Sequence, residues 1–536
     1  MNPYGFGGEA AIFSRAAVAA PHVAAAEAGR SILAEGGNAV EAMVAMAATI
    51  ATVYPHMNAI GGDGFWLIRT PDGRIHYVEA CGFAGAKATP DFYRAKGFDA
   101  IPARGPFAAL TVPGTIGGWS LALELSRNLG GKIPLRDLLA DARRHAREGY
   151  AVSHSEANGA PNEWAALKDA PGFADVYLVD GALPKAGTIR KPAALAATLE
   201  QLAHAGLDDF YRGDIGREIA ADLERIGSPV TRDDLARYRA VFREPLRINL
   251  PGRIHANAAP PTQGLAALLI LGIFEALGAP CDESFAHIHG LIEASKRGLA
   301  IRDRVCTDFD ALKHDLSDIL SPQNIAREAS LIDMNRAAPL PLPESTGDTV
   351  WMGAIDASGL SVSFIQSVYW EYGSGCTLPA TGVTMQNRGS SFSLDPRAVN
   401  PLRPGRRPFH TLNPPLAAFD DGRVLSYGSM GGDGQPQFQA QIFTRILGGM
   451  DVAAAADAPR FLYGRTWGAS SLTSVKLESR FDPALVARLR AAGHEIDLSP
   501  HAYHEGFGHA GAVLKRADGT IAAAHDPRSD GGAAGL

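Results

Sequence analysis

Apolar residues recur at helical spacing from Val23 to Val53, broken chiefly at Gly36-Gly37-Asn38, which predicts one interrupted helical segment. The loop Gly61-Gly62-Asp63-Gly64 follows. Two strand-like runs come next, Phe65 to Arg69 and Ile75 to Glu79, joined by Pro71-Asp72-Gly73, and together they read as a hairpin. Helical spacing returns over Leu121–Arg147 and Lys191–Tyr238. Leu265–Leu277 is a long apolar helix, and His287–Arg304 is another with its charges on one side. The texture changes after a short Pro-interrupted stretch, Ala337 to Pro343, which resembles a linker. Beyond it Val350–Asp356 and Leu360–Tyr369 alternate like strands. Strand-like, turn-rich sequence continues to about Met430, and helices are predicted over Gln437–Leu447 and Pro483–Ala492.

The hairpin after the linker sets a register. With a three-residue loop, Ala357 to Gly359, and Gly359 in the left-handed position, Asp356 pairs with Leu360 and Thr349 falls opposite Ser367. A cross-strand Thr–Ser pair is common in sheets, and spacing alone favours that plain reading. The sharper reading is a threonine nucleophile, made N-terminal by cleavage after Asp348, that uses its own amine as base. A second informative run is Tyr427 to Gly434. Its Gly431-Gly432 pair allows two backbone N–H groups to face one anion, as an oxyanion hole requires; a Gly-rich turn is the alternative. His501, His504, Glu505 and His509 do not fit HExxH, so a surface or supporting role is expected of them and no metal.

Composition narrows the class. Hydrophobic residues make up 46% and charged residues 20%, which excludes disorder. The 59 glycines and 35 prolines therefore imply tight turns and close backbone approaches inside a packed fold. A length of 536 residues suggests about three or four domains on length alone. A formal charge of −7 leaves no basic footprint for nucleic acid. No run of 18 apolar residues predicts a membrane span, Met1–Gly29 lacks the features of a signal peptide, and Cys81, Cys281, Cys306 and Cys376 are scattered. They read as reduced thiols in a cytoplasmic protein.

Taken in order, several stretches resemble the gamma-glutamyltranspeptidase family: Glu35-Gly36-Gly37-Asn38-Ala39-Val40-Glu41-Ala42, Gly61-Gly62-Asp63-Gly64-Phe65, Val112-Pro113-Gly114-Thr115, Glu293-Ala294-Ser295-Lys296, Asp348-Thr349, Gly431-Gly432, Ala458-Pro459-Arg460-Phe461 and Asp526-Pro527-Arg528. Each is weak alone, but the ordered set spans nearly the whole chain and reverses the plain reading of Thr349. The resemblance implies an N-terminal-nucleophile hydrolase, an α+β fold built as a four-layer αββα sandwich and made as an inactive precursor. Cleavage between Asp348 and Thr349 would give a large chain, 1–348, and a small chain, 349–536, that together form one catalytic domain and associate, with a further pairing of heterodimers left open. Thr349 would be the nucleophile, Ser367 the second hydroxyl that positions it, and Gly431 and Gly432 the oxyanion donors. No cofactor or metal is implied.

The departures from the family bear on substrate. The family's carboxylate-binding Arg has no counterpart among Cys81, Gly82 and Phe83, just before Gly85-Ala86-Lys87-Ala88-Thr89. Its ammonium-binding Asn, Gln and Asp read Tyr369, Arg388 and Ser391 here, and its paired serines read His410 and Thr411. An Arg cannot accept a hydrogen bond from an ammonium, and like charges repel. Arg388 instead suits a carboxylate, with His410, Thr411 and Asn413 adding hydrogen bonds. Trp351, Tyr369, Trp370 and Tyr372 either narrow the site or pack the core, and alternation puts only Trp351 and Tyr369 on the Thr349 face. Ser363 to Asp395, Arg407 to Thr411 and Gly464-Arg465-Thr466-Trp467-Gly468 are most similar to the family's amidohydrolase branch. Within it the likeness is to oxamate amidohydrolases, which release ammonia and oxalate in purine catabolism. The expected activity is hydrolysis of a small carboxylate-bearing amide, oxamate being the named substrate. Alternatives are a gamma-glutamyl hydrolase or transpeptidase acting on glutathione-like compounds, a glutaryl (cephalosporin-type) acylase, and a non-catalytic scaffold in which Thr349 is structural.

Overall fold

A computed structural model describes residues 9–339, 348–464 and 474–536. The later part of the Pro-interrupted stretch and Arg465-Thr466-Trp467-Gly468 lie outside the described residues.

The predicted helical opening divides where Gly36-Gly37-Asn38 stands, into helices Val23–Ala34 and Ala39–Val53. Asn38 caps the second helix in a reciprocal box with Glu41. All fifteen of that helix's residues are buried, as expected of a helix that is apolar all round. The hairpin forms from Asp63–Arg69 and Ile75–Ala80, and the helices Gly264–Leu277, Phe285–Val305, Gln435–Leu447 and Pro483–Ala491 lie where the periodicity placed them. Helix His154–Leu167, which contains Pro161, was not predicted. The charges of helix Phe285–Val305 do not share an exposed side: Glu293, Lys296 and Arg302 are buried in ion pairs.

Two antiparallel seven-stranded sheets form the centre. One runs Ala11–Phe13, Ile521–His525, Ala510–Lys515, Val424–Ser429, Leu416–Phe419, Arg253–Asn257, Leu246–Leu250. The other runs Gly532–Gly535, Ala17–Ala20, Asp348–Ile355, Ser361–Tyr369, Asp63–Arg69, Ile75–Ala80, Val241–Arg243. Alternation decides which layer each side chain joins. Val350, Met352 and Phe364 meet helices Val23–Ala34 and Ala39–Val53. Trp351 and Ile355 meet Val513, Ile521 and Ala523, and Phe65 and Ile365 meet Leu416 and Val424, so these residues fill the space between the sheets. Helices Gly264–Leu277, Phe285–Val305 and Gln435–Leu447 cover the outer face of the first sheet. The layers are therefore helix, sheet, sheet, helix. Each of these sheets draws strands from both sides of Thr349.

Candidate active site

The hairpin carrying Thr349 turns as predicted. Gly359 has φ 86° and donates to the Asp356 carbonyl at 2.9 Å. Asp356 Oδ1 accepts from the Ser358 amide at 2.9 Å, and Oδ2 accepts from the Ala39 amide at 2.9 Å, tying the turn to the N-terminus of a buried helix. The register then holds from Ile355↔Ser361 back to Val350↔Gln366. At Thr349 it departs from expectation: Asp348 pairs with Tyr369, so Thr349 faces both Ser367 and Val368 across a bulge. The cause is local. Tyr369 adopts φ 87° and its amide donates to Ser367 Oγ at 2.8 Å, which removes that N–H from a regular ladder. Bulges of this kind re-aim a side chain. Ser367 also pairs with Asp63, and Gly62 is needed there because a Cβ would lie 2.1 Å from the Ser367 carbonyl oxygen. Thr349 is buried, and its Oγ1 accepts from Gln435 Nε2 at 3.2 Å. In the continuous strand Asp348–Ile355 the Thr349 nitrogen is an amide and cannot act as a base; cutting the bond before it would make it an amine.

Gly431 and Gly432 sit where a strand ends and helix Gln435–Leu447 begins, with φ 120° and 50°. Neither amide donates to an acceptor among the described residues, so both are available to an anion at this helix start. The turn is held from outside. Arg302, reaching across from helix Phe285–Val305, donates from Nη1 to Asp433 Oδ1 and to Gln263 Oε1, each at 2.6 Å. Gln263 Nε2 then donates to the carbonyls of Gly432 at 2.8 Å and Thr411 at 2.5 Å.

Arg388 opens a short helical turn, Arg388–Ser391. Its guanidinium is fully buried, lies 3.6 Å from the Tyr369 ring centre, and donates from Nη2 to Thr411 Oγ1 at 3.3 Å. Nη1 has no hydrogen-bond partner, and no carboxylate lies within 4.0 Å of the group among the described residues. Burial pulls its pKa down to about 10, against the pull of Tyr369 and Asp63, so it stays charged at neutral pH. His410 is buried beside it with neither ring nitrogen paired. Burial, and then the Arg388 charge, hold the imidazole neutral. His410 Nε2 lies 3.6 Å from Asp63 Oδ2. Burial raises the Asp63 carboxyl to about 7, although the Gly82 and Gly114 amides both donate to Oδ1 at 3.0 Å. The pair is therefore neutral imidazole beside a carboxyl poised between its two states, not a salt bridge.

The remaining candidates divide. Ser391 Oγ donates to the Phe409 carbonyl at 3.1 Å and steadies the segment before His410. Trp351 is core: it lies against Gly353, Gly428 and Gly511, with Nε1 donating to Ser363 Oγ at 3.0 Å. Tyr372 joins Phe173 and Tyr177 in a separate aromatic cluster. Tyr369 alone of the four aromatics touches Arg388. His501 and His504 are exposed, whereas Glu505 accepts from Ser155 Oγ at 3.0 Å. His289, Glu293 and His494 bring ligand atoms within 4.8 Å of one another. Those atoms are engaged, His289 with His494 at 2.8 Å and Glu293 with Lys296 at 2.7 Å, and the ammonium opposes a further cation. Sequence reasoning missed Gln435, Asn257, Gln263 and Arg302. A signal for Gln435 was present: Gln435, Gln437, Gln439 and Gln441 are polar residues crowded into a helix start, and all four are buried.

The sequence pattern of the Gamma-glutamyltranspeptidase family matches residues 25–536. An oxamate amidohydrolase proenzyme from Klebsiella pneumoniae subsp. pneumoniae is 48% identical over 518 residues, 96% of this chain and 97% of the relative. A glutathione hydrolase-like YwrD proenzyme from Bacillus subtilis is 36% identical, covering 97% of this chain and 98% of the relative. The crystal structure of cephalosporin acylase from Bacillus halodurans superposes with a TM-score of 0.89 at 31% identity, covering 100% of this chain and 98% of that one.

Proposed function

Since the chain belongs to the gamma-glutamyltranspeptidase family of N-terminal-nucleophile hydrolases, we propose that it is a self-processing amidohydrolase that uses Thr349 to hydrolyse the amide of a small carboxylate-bearing substrate, oxamate being the best candidate. The observation that carries the substrate class is Arg388: a buried cation with one free N–H edge and no carboxylate within 4.0 Å among the described residues. Such a charge is costly to bury unpaired, and a substrate carboxylate would supply its partner. The relative's name, oxamate amidohydrolase, supports this choice.

In the proposed sequence Thr349 Oγ1 attacks the Asp348 carbonyl carbon, the Asp348–Thr349 C–N bond breaks, and an ester forms. Water hydrolyses the ester, leaving chain 1–348 with a new carboxyl end and chain 349–536 with a free α-amine. Because both sheets interleave strands from the two chains, they stay together as one catalytic unit. In turnover the α-amine takes the Oγ1 proton as Oγ1 bonds to the substrate amide carbon. Gly431 and Gly432 would donate to the oxyanion, each such donor being worth about 2.7–4 kcal/mol. The C–N bond breaks, the ammonium of Thr349 passes its proton to the leaving nitrogen, and ammonia departs. The α-amine then deprotonates water, which cleaves the acyl ester and restores the threonine hydroxyl. Ser367 positions the nucleophile, and Tyr369, Arg388, His410 and Thr411 hold the substrate. The four cysteines are all unbonded, which fits a reducing, cytoplasmic setting.

The test is ammonia release from oxamate measured beside glutaryl and γ-glutamyl amides. Oxamate should be the preferred donor. Brisk γ-glutamyl turnover with no release from oxamate would refute the assignment, in favour of the glutathione hydrolase reading.

A further inference from the structure

Thr349 Oγ1 and Gln435 Nε2 lie 3.2 Å apart, and the direction of that hydrogen bond is dictated far from the nucleophile. The main-chain N–H of Ala258 can only donate, and it donates to Asn257 Oδ1 at 2.8 Å. Asn257 therefore turns its Nδ2 toward Asn413, donating to Oδ1 at 3.2 Å. Asn413 then presents Nδ2 to the Thr411 carbonyl, which can only accept, at 3.1 Å, and to Gln435 Oε1 at 3.3 Å. Main-chain groups anchor the chain of amides at two places, and both demand the same polarity. Gln439 Nε2 adds a bond to the Asn413 carbonyl at 2.9 Å. With Oε1 committed to Asn413, Gln435 can offer Thr349 only an N–H. Asn257, Asn413 and Gln435 are fully buried, where amide networks are strengthened and costly to leave half-made.

We propose that Gln435 is a further catalytic residue, a fixed donor to the nucleophile oxygen whose orientation is set by the Asn257–Asn413 relay. The inference rests on Thr349 being the nucleophile. An N–H facing Oγ1 cannot take the hydroxyl proton, so it turns that proton toward the threonine's own amine. It also stabilises the negative charge that grows on Oγ1 as the proton leaves. Gln435 itself neither gains nor loses a proton, so the balance of the reaction is unchanged. Its place is telling: it is the first residue of helix Gln435–Leu447, directly after Gly432-Asp433-Gly434. The contact to the attacking oxygen and the donors to the oxyanion are thus carried on one rigid element.

Three variants test this. Gln435→Met keeps the length without a donor, and Gln435→Glu keeps the shape but, when ionised, can only accept. Both should lose about 10- to 100-fold in kcat for ammonia release, with KM within threefold because Arg388 is untouched, and both should cut themselves more slowly. Acid also protonates the Thr349 amine that serves as base, so each variant is read against wild type at the same pH: as the pH falls and its carboxyl regains a proton to donate, Gln435→Glu should recover kcat relative to wild type, whereas Gln435→Met should not; a merely structural role would not separate the two pH profiles. Asn257→Asp, which reverses the relay without touching Thr349, should lower kcat in the same direction. Wild-type kcat in folded Gln435→Met or Asn257→Asp, or no acid recovery relative to wild type in Gln435→Glu, overturns the inference. Thr349→Ala run in parallel separates the two levels: if it still cuts itself, the nucleophile assignment fails, whereas an inert Thr349→Ala beside a fully active Gln435→Met sinks only the role given to Gln435.

Discussion

Replacing Arg388 by Met should move activity and stability in opposite directions. The guanidinium is fully buried, and burial takes its pKa from 12.5 to about 10, a difference worth roughly 3 kcal/mol. The sign is unfavourable to folding: at neutral pH the group is charged in both states, and the folded state holds the charge in a poorer medium. Stacking on Tyr369 at 3.6 Å returns about 1–2 kcal/mol. Removing the charge therefore costs the free protein little or nothing, and Tm should stay level or rise by a degree or two, as ~1–2 kcal/mol gives for a chain of this size. Substrate tells the other half. A carboxylate that pairs with Arg388 cancels the burial penalty, and truncating one partner of such a buried pair costs about 2–5 kcal/mol. Steady-state ammonia release should show kcat/KM lowered by roughly 10²-fold or more in Arg388→Met. Thermal melts with the product carboxylate should show the wild-type Tm rising with ligand and the variant's Tm unmoved. If the variant keeps kcat/KM within threefold, or if the carboxylate raises both melting points equally, the role given to Arg388 is wrong.

Two more outcomes follow from charges near the site and in the core. Asp63 sits close to Arg388 and its carboxyl is raised to about 7, so as pH climbs through 7 it becomes an anion that competes with substrate for the same cation. KM for an anionic amide should rise above pH 7 in the wild type and stay flat in Asp63→Asn, which keeps the Oδ1 acceptor for Gly82 and Gly114; a KM that rises equally in both excludes Asp63 as the cause. Asp526 is opposed by burial but held well below the usual carboxylate range by Arg460 and Arg528. A depressed pKa contributes stability above the ordinary carboxylate range and loses it as pH falls through the folded value. Asp526→Asn leaves two buried guanidinium groups short of a partner and should cost about 3–5 kcal/mol in chemical denaturation at pH 7, whereas a change below 1 kcal/mol would show that the ion pairs do not matter there.

Much of the frame was legible in the chain. Asp356 and Gly359 announced the three-residue turn, and alternation from that turn gave the register of the strand that carries Thr349, through Val350. What it could not give was the last step, because the bulge depends on Tyr369 adopting φ 87° and on its amide turning to Ser367, a tertiary choice that periodicity does not encode. Arg388 was identifiable as a cation, but its solitude is a fact of packing: only the folded chain reveals that, among the described residues, no carboxylate lies within 4.0 Å of it. Trp351 shares a sheet face with Thr349, which left a pocket wall and core packing both open. Gly353, Gly428 and Gly511 decide for the core by making room for it between the sheets. Gln435 escaped notice because a glutamine at a helix start is ordinary until its neighbours, Asn257 and Asn413, arrive from distant strands and loops to fix its direction.

If Thr349 makes itself the nucleophile by cutting the bond before it, the wild-type chain must part there and the Thr349→Ala chain must not. Intact mass measurement of the purified wild-type protein and of Thr349→Ala, each after prolonged incubation, tests it without any assumption about substrate. Two fragments are expected from the wild type, 1–348 and 349–536, and a single uncut, inactive chain from Thr349→Ala. A wild type that hydrolyses amide while intact, or a Thr349→Ala chain that still parts between Asp348 and residue 349, would contradict it.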